Sequence, residues 1–159
     1  MNNNNVNFTR QLVKGKIAEA IFAQMFRQSG NFTVLEFGYE KVIPEIIQQG
    51  YSENNPMIET LRTAPDFAVI DHTTREVKLV EVKYQRRLNS DYTLRAAIRM
   101  SQCWNPSYLF VATLDGFYMD KISNIIKNDG AITPLKGPDM DLDLQNSYLQ
   151  ILKDFEQAN

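Results

Sequence analysis

Apolar residues recur at three- and four-residue spacing through Val13, Ile17, Ile21, Phe22, Met25 and Phe26, which predicts a helix over residues 10–28 with this stripe buried. Thr9 is placed to cap it, and Ser29-Gly30 to close it. The spacing then changes. Residues 32–39 alternate loosely as a strand, and two short helical pieces follow, one over 44–49 stopped by Gly50 and one started by Asn55-Pro56, with a loop at 51–55 between them. From Pro65 to Lys83 two β-branched, apolar runs flank the polar break His72-Thr73-Thr74-Arg75, which is the pattern of an antiparallel hairpin. Its second run has apolar residues on both faces, as a central strand does. A helix over 91–103, capped by Asn89 or Ser90, would turn Leu94, Ala97, Ile98 and Ser101 to the sheet and Arg95, Arg99 and Gln102 outward. A strand over 108–114 comes next, then a short strand or helix within 117–126. The last element is an amphipathic helix with Tyr148, Leu149, Leu152 and Phe155 on its apolar face. Strands and helices in this order predict one α/β domain, a central mixed sheet flanked by helices, behind a disordered polar tail at residues 1–8.

The hairpin gathers charge as well as apolar residues. With a four-residue turn, Asp71 pairs with Glu76, and counting back along both strands sets Asp66 opposite Glu81. Cross-strand neighbours stand about 5 Å apart, and like charges so placed destabilise each other. A shared divalent cation would remove that conflict. Strand side chains alternate, so Glu81 and Lys83 share a face, and Asp66, Glu81 and Lys83 converge as two carboxylates and one ammonium.

Composition narrows the chemistry. With 159 residues, 43% hydrophobic, the chain is long enough for one real core. One cysteine and one histidine exclude an internal disulfide and a Cys/His zinc cluster, so any metal site is built from oxygen. No basic-then-apolar leader and no run of about 18 apolar residues occurs, which reads as a cytoplasmic protein without a membrane partner. The net charge of −2 argues against coating nucleic acid by bulk electrostatics. Its distribution matters more: residues 75–99 hold seven basic and three acidic side chains, whereas residues 139–156 hold five acids and only Lys153.

The triplet Glu81-Val82-Lys83 alone carries little, since Glu76-Val77-Lys78 repeats it at the turn, where it reads as a solvated pair. Combination carries more: a Pro65-Asp66 start, a fifteen-residue interval to Glu81, a hairpin, and an upstream helix bearing Glu19 among small residues. In this the chain resembles the PD-(D/E)xK nuclease superfamily over roughly residues 9–114, and Gly15-Lys16-Ile17-Ala18-Glu19 resembles the Gly-x-x-x-Glu form of archaeal Holliday-junction resolvases. The resemblance implies a restriction-endonuclease-like αβββαβ core and a Mg²⁺- or Mn²⁺-dependent endonuclease or exonuclease acting on DNA. Asp66 and Glu81, with the Val82 carbonyl and Glu19, would be metal ligands, and Lys83 the catalytic lysine. Gln85 follows where some members place another polar site residue. Residues 40–63 exceed the minimal core and read as an insertion.

Arg86, Arg87, Arg95 and Arg99, with Lys14 and Lys16 near Glu19, are either solvated charges or nucleic-acid contacts. Tyr84, Trp104 and Tyr108 read as packing residues, His72 as a loop residue and Cys103 as buried. A homodimer would suit a duplex with two strands to cut. The rival reading is a non-catalytic nucleic-acid-binding or protein-interaction module of the same fold, with a regulatory, defence or anti-defence role.

Overall fold

The computed structural model describes residues 3–50 and 56–158. Five strands form one mixed sheet in the order β1-β2-β3-β4-β5: Phe32–Glu36, Phe67–Asp71, Val77–Tyr84, Tyr108–Thr113 and Gly116–Lys121. Pairing is antiparallel except between β3 and β4, which run parallel across the helix that joins them. The helices are α1 (Asn3–Gln28), α2 (Tyr39–Gln48), α3 (Pro56–Arg62), α4 (Ser90–Ser101), α5 (Ile122–Lys127) and α6 (Leu142–Gln157). The protein is thus α/β, and no described helix is long and apolar enough to cross a membrane.

Two cores sandwich the sheet. On one face α1 and α6 cover Val69, Val80, Val82, Phe110 and Ala112, and the Phe22 ring lies 5.2 Å from Phe67 and 4.9 Å from Phe110 between centroids. On the other, Ala96, Ala97 and Met100 of α4 and Ile122 and Ile125 of α5 cover Leu109 and Val111. Apolar side chains on both faces of β4 and on alternate positions of β3 make these the central strands.

Several boundaries differ from the sequence pattern. Instead of a polar tail, α1 starts at Asn3, and the Thr9 hydroxyl donates to the Asn5 carbonyl 2.8 Å away as a mid-helix residue rather than a cap. Val13, expected in the buried stripe, is 42% exposed because the sheet does not reach that far. β1 ends at Glu36, since the Phe37 and Gly38 N–H groups both turn to the Asp66 carbonyl, at 2.9 and 3.1 Å. Pro44 then lies inside α2 instead of opening it. The predicted loop at 51–55 lies outside the described residues. Segment 117–126 holds both a strand and a helix, β5 followed by α5.

Helix α4 buries Ala97 as predicted, but buries Thr93, Ala96 and Met100 in place of Leu94, Ile98 and Ser101, leaving Ile98 43% exposed. The cause is local. Asn89 caps the helix by accepting the Tyr92 N–H, and Gln85, buried below, bonds both the Asn89 N–H (2.7 Å) and the Thr93 hydroxyl (3.4 Å), which turns Thr93 inward.

Candidate functional site

The hairpin register is the one the turn length implies. Ile70 pairs with Val77 and Phe67 with Val80, and the Asp71 N–H donates to the Glu76 carbonyl at 2.9 Å. One step further, where Asp66 and Glu81 would pair, the two strands part. Asp66 Oδ2 accepts the Val82 N–H at 2.8 Å in place of a backbone partner, while β3 continues along β4 to Tyr84. A strand residue's N–H and C=O point to the same edge, so the Val82 carbonyl faces this opening too.

Into the opening come four charged side chains. Lys83 Nζ lies 2.8 Å from Glu81 Oε1, both largely buried. Glu19, from α1, is near enough to Asp66 to act on its charge, and its own carboxylate meets Lys16 Nζ at 3.3 Å. Lys16 also reaches Glu40 at 3.3 Å across the mouth. Asp66 is pushed up to about 7, first by burial and then by the carboxylates of Glu81 and Glu19, against the opposing pull of the Val82 N–H and Lys83. Burial works against the charge of Lys83, but Glu81, Tyr92 and Asp66 together outweigh it and the ammonium is held above its ordinary range.

Three clefts meet here, and Glu81 lines all of them. The largest, about 580 Å³, runs between α1 and α2 past Gln11, Gly15, Glu19, Tyr39, Arg62 and Asp66. A second, about 250 Å³, passes Gln11, Gly15, Lys83, Tyr84 and Tyr92, and a third, about 240 Å³, passes Arg62, Thr63, Lys83 and Arg99. Among the described residues Gly15 does not serve a close approach of neighbouring chain, since a Cβ built on it would meet none of them within 4 Å.

The structure sorts the remaining candidates. Arg99 borders a cleft and Lys16 the mouth, while Arg86, Arg87 and Arg95 are exposed beyond them. Lys14 is turned away, 2.8 Å from Glu156 of α6 and over the Tyr84 ring, whose hydroxyl donates to the same Glu156. Gln85 is buried with both ends of its amide spent on the start of α4. Tyr84 packs against the α1 core, as expected of the face opposite Lys83. Trp104 packs edge-on to Phe37, and His72 at the turn bonds Thr33. Cys103 is exposed rather than buried, because α4 ends at Ser101 and the chain leaves the core there. Arg62, Thr63, Tyr39, Tyr92 and Gln11 were missed; only Gln11 carried a signal, its four-residue steps to Gly15 and Glu19 on one helix.

As they are oriented, no three Asp, Glu, His or Cys side chains among the described residues stand close enough together to hold an ion. Glu81 and Glu19 instead contact lysines. The donors are nonetheless hard oxygens of the kind Mg²⁺ takes, and Asp66, crowded by two other carboxylates with one N–H to meet it, sits where a cation would relieve the charge. The sequence matches no protein-family model, and no curated protein matches it significantly.

Proposed function

We propose that the protein is a Mg²⁺- or Mn²⁺-dependent nuclease of the PD-(D/E)xK type that hydrolyses phosphodiester bonds, most readily in DNA. One observation carries the reading: Asp66, Glu81 and Lys83 meet where β2 and β3 part, in an opening reached by three clefts. The element order supports it as well. A helix, an antiparallel β1-β2-β3 meander, a helix and a strand parallel to β3 come in an order compatible with a restriction-endonuclease-like αβββαβ core, with α2 and α3 between β1 and β2.

Asp66, Glu81 and the Val82 carbonyl, with Glu19, would hold the ion, which supplies charge neutralisation at the phosphate and acidifies water. Lys83 stays an ammonium beside Glu81. In this reading it would donate to a phosphate oxygen as a charged group. Arg62 and Arg99, across the third cleft, would hold the neighbouring phosphate of the same strand.

Incubation with supercoiled, linear and branched DNA and Mg²⁺, beside Asp66→Ala and Lys83→Ala, tests the assignment. Loss of cutting in both variants is expected; cutting indifferent to both would sink it. Calorimetric titration with Mn²⁺ separates a module that binds without cutting, in which Asp66→Ala leaves the heat of metal binding unchanged.

A further inference from the structure

Helix α1 is anchored in two different ways along its length. From Ala18 to Phe26 it lies on the sheet, with Ala18 and Phe22 fully buried. Before Ala18 the apolar side chains lose their cover, and Leu12 is 55% exposed and Val13 42%. A 26-residue helix is roughly 39 Å long, and the strands beneath it run only five to eight residues, so the first turns overhang the sheet. Glu19 stands where the two parts join.

Polar contacts hold the overhang. Lys16 meets Glu40 of α2 at 3.3 Å, but this pair is exposed and solvent screens it. The firmer hold comes from α6. Glu156, in its last turn, lies 2.8 Å from Lys14 Nζ, and the Tyr84 hydroxyl donates to the same Oε1 oxygen. Lys14 also lies over the Tyr84 ring, 5.6 Å from its centroid. Both Lys14 and Glu156 are largely buried, so salt screens the pair far less than it screens Lys16 and Glu40. Burial pushes the Glu156 carboxyl up, but Lys14 and Tyr84, helped by Arg86, outweigh it and hold the carboxyl below its usual range. One carboxylate thus ties α1 to β3. The tie falls beside the site: Tyr84 follows Lys83 on β3, Lys14 precedes Gly15 on α1, and Gly15 and Tyr84 line the 250 Å³ cleft together with Glu19, Asp66 and Glu81. Glycine weakens a helix relative to alanine, so Gly15 makes the turn before Glu19 dependent on this tie.

We propose that Glu156 is a positioning residue for the metal site: by clamping Lys14 to Tyr84 it sets the spacing of α1 from β3 and so keeps Glu19 within reach of Asp66 and Glu81. The inference rests on reading these three carboxylates as metal ligands. Glu156 touches none of them. Its effect passes through the backbone of α1, from Lys14 across Gly15 to Glu19.

Calorimetric titration of the full chain with Mn²⁺, without DNA, is the test. Glu156→Ala should weaken Mn²⁺ binding about fivefold. Glu156→Gln keeps an acceptor for Tyr84, gives up the charge that holds Lys14, and should show most of that loss even if the alanine variant fails to fold. Two controls separate positioning from a merely structural role. At the other end of α1 the Tyr148 hydroxyl of α6 donates to Gln28 Oε1 at 2.7 Å, so Tyr148→Phe removes a second bond between the same two helices and should leave Mn²⁺ affinity unchanged. In a Glu19→Gln background, Glu156→Ala should weaken Mn²⁺ no further, because the group it positions is already gone. Wild-type affinity in both Glu156 variants, an equal loss in Tyr148→Phe, or a full fivefold loss added on top of Glu19→Gln would each overturn the proposal. Failure of the metal reading looks different: Asp66→Ala then binds Mn²⁺ as the wild type does, and Glu156 has no site to position.

Discussion

At the turn end of the β2–β3 hairpin, Asp71 is bonded to Glu76 through the backbone and Lys78 lies near its carboxylate; at the open end, where the strands part, Glu81 is close enough to act on Asp66 and has Lys83 beside it. The residue types match, and the electrostatics are opposite. Burial nudges Asp71 upward, but the Thr73 and Thr74 N–H groups at 2.8 and 3.1 Å and Lys78 at 3.6 Å outweigh it and hold the carboxyl below its usual range. Asp66 has one N–H, deeper burial and two neighbouring carboxylates, and is pushed up to about 7. A carboxylate whose charge is met by backbone donors closes a turn. One with a single donor, deeper burial and other carboxylates beside it holds its proton to higher pH, so surroundings and not the triplet separate the two ends.

The largest difference between the ends is expected in catalysis. Asp66→Ala should lower the rate of DNA cleavage by on the order of 10²–10³-fold, and Asp71→Ala should leave it within about twofold, as measured by initial rates in Mg²⁺. Metal binding should divide the same way, with Mn²⁺ heats abolished by Asp66→Ala and retained by Asp71→Ala.

Next comes pH. Between the ordinary carboxyl value of 3.8 and about 7, the metal-free native state keeps a proton on Asp66 that the unfolded chain has lost. Stability from this group is therefore full below the lower value and falls as pH rises through the window, at up to about 1.4 kcal/mol per pH unit. Asp71 acts in the opposite sense, its contribution being present above its unfolded value and lost on acidification. Urea unfolding at pH 4.5 and 7.5 should show Asp66→Asn gaining stability over wild type at the higher pH only. The smallest effect is Asp71→Ala, which leaves two turn N–H groups unmet and should cost about 1 kcal/mol at pH 7.5.

The register that brings Asp66 to Glu81 was legible because a four-residue turn and a period of two leave no freedom once Asp71 and Glu76 are paired. Tertiary partners hid the rest. Lys14 looked like a phosphate contact beside Glu19, but Glu156, which takes it, is 142 residues away in sequence. Gln85 follows Lys83 as a site residue might, and its amide is spent on the start of α4. Ile98 is more apolar than Thr93 and should have faced the core; a buried hydrogen bond reversed the choice. Arg62 and Tyr92 reach the opening from α3 and α4, which no spacing within the chain connects to Asp66.

Trp104, the only tryptophan, donates its indole N–H to the Thr60 carbonyl at 3.3 Å and the Thr63 hydroxyl at 3.1 Å, and Thr63 belongs to the wall of the Arg62–Arg99 cleft. Indole emission depends on that hydrogen bond and on the ring's neighbours. The protein thus carries its own optical reporter, and anything that settles against this wall changes its fluorescence without an added label.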